Sequence, residues 1–185
     1  MREGFTAGPP QGETAPLGGS DVREGGGRQF VLDTNIALDL WVFDEPAVES
    51  LRQALAEGAV WWATTAMRDE LARVLAYPHI AARMWATAAA KEGADTGSPL
   101  PCSHADAVLA RWDAAVTLQP VPPKARYVCT DADDQKFIDL AAAQAPVPPH
   151  SGQPVVLVSK DKAVLRLRKR LSTLGVTVLR TWAST

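Results

Sequence analysis

Gln29-Phe30-Val31-Leu32-Asp33 is a short apolar run that stops on an acid. Its length and its β-branched and aromatic content suit a buried strand. Three further runs read the same way. Ala59-Val60-Trp61-Trp62-Ala63 is the second, Val155-Val156-Leu157-Val158 the clearest, and Val176 to Thr181 the last. Between them the apolar period is helical. Val48, Leu51 and Leu55 mark a helix over Pro46 to Glu57, with Pro46 in its first turn and Gly58 just past its end. Thr64 and Thr65 suit the cap of a helix that runs to Tyr77, where Pro78 stops it. Further helices are expected over 79–91, 104–118, 133–143 and 161–173. Short strands alternating with helices predict an α/β fold around a mainly parallel sheet.

Outside these elements the chain is poor in apolar residues. Eight of its 13 glycines fall within residues 1–27, beside Pro9, Pro10 and Pro16. That stretch has little apolar surface to offset the entropy of ordering, so a flexible tail is expected there, with a single domain over 28–185. Gly93 to Pro101 reads as a long loop and Pro146 to Pro154 as a Pro-rich linker. No apolar run reaches the length of a membrane-spanning helix. Met1 to Glu13 lacks the apolar core of a secretory signal. With two cysteines, Cys102 and Cys129, free thiols in a reducing cytoplasm are expected.

The polar residues at the strand ends carry the functional reading. In a parallel sheet, ligands bind beyond the carboxyl ends of the strands. Asp33 ends the first strand. Asp161 follows Val158 after two residues. Glu70 lies two turns into the helix after the second strand, and Asp131, Asp133 and Asp134 cluster at another helix start. Acids gathered at one edge repel one another, and a divalent cation relieves that repulsion. Hard oxygen ligands select magnesium or manganese. The scattered His79, His104 and His150 offer no zinc site. Each acid also has a plainer role. Asp33 and Asp161 suit helix N-caps, Glu70 suits a surface pair with Arg73, and Asp131 and Asp133 suit a helix start favoured by its dipole.

Four motifs, taken together, resemble a known family. Val31-Leu32-Asp33-Thr34-Asn35 is similar to the opening motif of PIN-domain ribonucleases, and Met67 to Leu75 to their second acidic motif. Asp131-Ala132-Asp133-Asp134-Gln135-Lys136-Phe137 resembles the DPDDxKF segment of a subgroup, the PIN-family toxins of toxin–antitoxin systems. Leu157-Val158-Ser159-Lys160-Asp161-Lys162 resembles that subgroup's LVTGDKD strand end. The resemblance implies a PIN-like three-layer α/β/α sandwich with a four- to five-stranded sheet. It implies a magnesium-dependent endoribonuclease, the toxin of a toxin–antitoxin module, with RNA as substrate. It places catalysis and metal binding on Asp33, Glu70, Asp134 and Asp161, with Asp131 as an auxiliary ligand. Asn35 and Ser159 match positions that orient the acids and a water. An antitoxin partner and a homodimer are further implications.

Two departures favour a second reading, a catalytically weakened RNA-binding or protein-interaction module. Lys160 stands where the family often has Gly, next to Asp161, whose charge it would partly neutralise. Ala163 stands where a further acid is common. Lys162, Arg166, Lys169 and Arg170 are spaced to share one helix face with Lys160 nearby, which suits a phosphate-tracking patch. The net charge is only −2, so any nucleic-acid site must be local. Trp41 and Phe43 are candidates for a substrate or partner surface, and Leu38, Leu40, Trp41 and Val42 for an interface. Other α/β classes lack their marks. No Gly-x-Gly-x-x-Gly follows the first strand, and no P-loop or Gly-x-Ser-x-Gly elbow is present.

Overall fold

The strands expected at 29–32, 59–63, 155–158 and 176–181 all form, and a fifth joins them. The computed structural model describes residues 27–92, 101–146 and 152–182, together with Met1. The expected tail, apart from Met1 and Gly27, lies outside the described residues. So do 93–100 of the expected loop and 147–151 of the Pro-rich linker. The strands are β1 (Gln29–Leu32), β2 (Val60–Ala63), β3 (Val116–Leu118), β4 (Val155–Val158) and β5 (Val176–Leu179). They form one parallel sheet in the order β3-β2-β1-β4-β5. Every residue of β4, and Phe30, Val31 and Leu32 of β1, is buried. A strand buried on both faces needs a helical layer on each side, which is the expected three-layer α/β/α sandwich.

The helices are α1 (Thr34–Leu38), α2 (Glu49–Ala56), α3 (Thr65–Leu75), α4 (Pro78–Glu92), α5 (Pro101–Ala115), α6 (Gln135–Gln144), α7 (Lys162–Arg166) and α8 (Arg168–Leu171). The helix expected to run to Tyr77 ends at Leu75, and Pro78 is instead the first residue of α4, where its missing N–H costs nothing.

Two expectations are corrected. The helix expected over 104–118 ends at Ala115, and Val116–Leu118 is β3 instead. Pairing with Trp61, Trp62 and Ala63 of β2 overrides the helical pattern, and the β-branched Val116 and Thr117 suit it. The helix expected over 161–173 is broken. Leu167, at φ −85° and ψ −3°, separates α7 from α8, and a 3-10 turn over Ser172–Leu174 follows. Val164, Leu167 and Leu171 are all buried across the break. Lys162 and Arg166 therefore lie on α7, and Lys169 and Arg170 on α8. All four are exposed, but they do not share one continuous helix face.

The expected interface around residues 38–42 is also corrected. Leu38, Leu40 and Val42 are buried in the core, and half-buried Trp41 stacks on Trp61 with ring centroids 5.3 Å apart. This stretch continues α1 as a π-helical turn over Asp39–Phe43, which closes on Asp44 in the left-handed region at φ 52°.

Candidate active site

The order in which strands are added reverses at the centre of the sheet. From β1 the sheet grows through β2 to β3 on one side, and β4 and β5 fill the other. The crevice beyond β1 and β4 is thus the switch point where parallel α/β sheets bind ligands. Leu32 pairs with Val158, so Asp33 and Ser159 emerge side by side. The Asp33 backbone N–H extends the ladder by donating to the Val158 carbonyl at 3.0 Å.

The Asp33 carboxylate is buried and held on both oxygens. The Ser159 hydroxyl donates to Oδ2 at 2.7 Å, and the Asn35 backbone N–H approaches Oδ1 at 3.4 Å. Asp33 is therefore also the N-cap of α1. Burial pushes its pKa above the usual carboxylate value. The two hydrogen bonds oppose that rise, and the negative charges of Glu70 and Asp161 add to it. Fully buried Ser159 also accepts from the Asp161 N–H at 3.0 Å. One hydroxyl thus fixes both the acid after β1 and the acid after β4. Asp161 in turn caps α7, its Oδ1 accepting from the Ala163 N–H at 2.5 Å.

Glu70 comes in from α3. The Thr34 hydroxyl donates to its Oε1 at 2.9 Å, and Lys136 forms an ion pair with its Oε2. Glu70 therefore pairs across the fold and not along its own helix with Arg73. Asp134 comes from the segment before α6. It occupies the N-cap position yet makes no capping hydrogen bond. Its Oδ2 is buried without a hydrogen-bond partner. Burial, followed by the charges of Asp33, Asp161 and Asp131, raises its pKa to about 7, and Lys136 opposes the rise. Asp131 is exposed and accepts from the Asp133 N–H at 2.9 Å.

Gln135 holds this segment in place. Its Oε1 accepts from the Cys129 N–H at 2.6 Å, and its Nε2 donates to Tyr127 O at 3.3 Å and to Asp139 Oδ1 at 2.6 Å. The same Asp139 oxygen accepts from the Ala125 N–H at 2.8 Å. A strandless approach to α6 is thus anchored by side chains, and Asp131 to Asp134 hang from it at the sheet edge.

The fold brings Glu70, Asp134 and Asp161 each within electrostatic reach of Asp33, and Asp161 and Asp131 within reach of Asp134. Asn35 reaches Asp33 only through its backbone, and its side chain is exposed. Lys160 does not pair with Asp161 as expected. It pairs with Asp39, a buried acid on the π-helical turn.

Sequence reasoning passed over Asp39, Thr34 and Lys136. Asp39 carried a signal, an acid inside the apolar run Leu38-Asp39-Leu40. Thr34 and Lys136 carried none beyond adjacency to the acidic motifs, because their partner Glu70 is distant in the chain.

The donor set suits a hard cation, since it consists of carboxylate oxygens, one of them buried and unpartnered. The side chains are nevertheless not gathered onto a point. Among the described residues no three His, Cys, Asp or Glu groups stand so as to hold a metal ion. Burial first, and then the charges of Asp33, Asp161 and Asp131, raise the Asp134 pKa.

Fold and site together define a parallel α/β sandwich with neighbouring acids at its switch point. A family model described as PIN domain matches residues 29–163, and the chain belongs to the PIN-domain family, whose fold is a nuclease fold. No curated protein matches the chain in direct comparison.

Proposed function

We propose that the chain is a magnesium- or manganese-dependent endoribonuclease that hydrolyses RNA phosphodiester bonds at Asp33, Glu70, Asp134 and Asp161. The observation that carries this is the raised pKa of Asp134, caused by burial and by three neighbouring acids around an unpartnered buried oxygen. A folded protein keeps such repulsion where a cation relieves it in use. Asp33, Asp134 and Asp161 would hold the ion. When bound, a divalent ion polarises a phosphoryl oxygen and lowers the pKa of a coordinated water. The remaining work belongs to the chain. Ser159 favours the ionised form of Asp33 by donating to it, against the rise that burial causes, and it fixes Asp161 beside it. Thr34 orients Glu70. Exposed Lys162, Arg166, Lys169 and Arg170, with Lys160, supply positive charge along α7 and α8 for the RNA backbone.

The toxin role rests on the resemblance of residues 131–137 and 157–162 to the toxin subgroup. It brings with it a cytoplasmic location, an antitoxin that enters the crevice, and a homodimer. The test is cleavage of a defined single-stranded RNA with added magnesium. Asp33→Asn abolishes it, and so does a chelator, while far-ultraviolet circular dichroism stays unchanged. Full activity in that variant rejects the assignment.

One observation favours the alternative, a weakened RNA-binding or interaction module. The Lys136 ammonium already neutralises Glu70. That reading predicts RNA binding indifferent to magnesium and no cleavage at any metal concentration.

A further inference from the structure

We propose that Lys136 is a built-in second cation of this site: Asp33, Asp134 and Asp161 take a single divalent ion, and Glu70 anchors the lysine instead of ligating metal. The inference rests on the nuclease reading above and divides its four acids into two kinds.

Glu70 is engaged on both oxygens. The Thr34 hydroxyl holds Oε1 at 2.9 Å and the Lys136 ammonium lies against Oε2. The ammonium is itself confined. It donates to the Asp133 carbonyl and lies 4.7 Å from the centroid of the buried Phe137 ring. The Lys136 side chain is 24% exposed and that of Glu70 18%, so the pair is largely shielded from water. Thr34 follows Asp33 directly, and Lys136 lies two residues after Asp134. Each anchor of the pair is thus tied to a different aspartate of the cluster.

Asp33 and Asp161 accept hydrogen bonds but carry no ammonium partner among the described residues. Asp134 has a buried oxygen with no hydrogen-bond partner, and none of the three aspartates is ion-paired to a lysine or arginine among the described residues. A divalent ion meets unpaired carboxylates there, but at Glu70 it would have to displace an ammonium held at three points. A phosphate seated in the crevice would then face a metal ion on the aspartate side and an ammonium on the Glu70 side. That is the charge clamp two metals otherwise provide.

Manganese titration followed by electron paramagnetic resonance tests this without relying on turnover. The chain should bind a single Mn2+. Lys136→Met removes a positive charge near the ion, so binding should tighten about tenfold, while kcat for RNA falls. Lys136→Arg keeps the charge and should leave Mn2+ affinity near that of the parent. The decisive variant is Glu70→Gln with Lys136→Met, which removes the pair without changing net charge. Its single Mn2+ should bind within about threefold of the parent affinity. A loss of about a hundredfold or more in that variant makes Glu70 a ligand and overturns the inference, as does a parent chain that binds two ions. In either case the metal-dependent nuclease reading stands. A parent chain that binds no Mn2+ overturns that reading itself. Thermal melts of each variant separate loss of binding from loss of fold.

Discussion

Asp134→Asn should make the protein more stable while destroying its activity, and the gain should grow with pH. In the fold the Asp134 pKa stands at about 7, against 3.8 for an unperturbed aspartate. Between those values the folded protein holds a proton that the unfolded chain releases. Folding then takes up a proton, so stability falls as pH rises from about 4 to about 7, and levels off above that. At about 1.4 kcal/mol for each tenfold change in proton affinity, the whole gap corresponds to about 4 kcal/mol. Asp134 keeps partial contact with solvent, and screening cuts such figures at least in half, which leaves about 1–2 kcal/mol. Asparagine removes the charge and keeps the shape. At pH 8 without divalent ions the variant should therefore gain about 1–2 kcal/mol, a rise of roughly 2–8 °C in Tm for a domain of this size. At pH 5 most of the gain should vanish, because Asp134 is then already protonated in the fold. Urea denaturation at both pH values, with and without magnesium, is the assay. Magnesium should stabilise the parent more than the variant, because it binds the native cluster. A variant no more stable than the parent at pH 8, or one with equal gains at both pH values, refutes the claim that this carboxylate is destabilised by its neighbours.

Ser159→Ala removes a buried hydroxyl that serves Asp33 and Asp161 together. It should cost about 1–3 kcal/mol in urea denaturation. It should also move the acid limb of the pH–rate profile to higher pH, since Asp33 loses a bond that favours its ionised form. Lys160→Met leaves the Asp39 side chain, 5% exposed, without its counter-charge. A loss of about 2 kcal/mol is expected, restored when Asp39→Asn is added, and a double-variant cycle by thermal melting checks this. Gly175 ends the 3-10 turn at φ 78°, where an added Cβ would meet only ordinary contacts at 3.6 Å. Gly175→Ala should therefore cost only the backbone strain, about 1 kcal/mol, with RNA cleavage unchanged.

Much of this architecture is legible in the sequence because burial on both faces leaves a plain mark. A strand such as Val155–Val158 has no solvent face, so it reads as an unbroken apolar run. The edge strand β3 leaves no such mark. Its three residues follow α5 without a turn signal, and only pairing with β2 makes them a strand. The break at Leu167 was hidden for a related reason. Val164, Leu167 and Leu171 are spaced as in one helix, and nothing local shows that the backbone turns between them. The acids were legible because strand ends are where a parallel sheet exposes polar groups. Their partners were not. Thr34, Lys136 and Asp39 act through contacts closed only by the fold, and a reading along the chain assigned Lys160 to its neighbour Asp161 when its partner is Asp39.

That reassignment changes what the departures from the family pattern mean. A lysine beside Asp161 would compete with a cation if it faced the crevice. Lys160 instead pairs with a carboxylate on the π-helical turn and leaves Asp161 to Ser159 and Ala163. The acidic crevice is thus flanked by two lysines, each paired with an acid, Lys136 on Glu70 and Lys160 on Asp39. Asp33, Asp134 and Asp161 have no such lysine partner among the described residues. A site under selection only for stability would spread the lysines over all five acids, because each uncompensated buried charge weakens the fold. On the reading proposed above, this unequal distribution of counter-charge leaves Asp33, Asp134 and Asp161 for the cation.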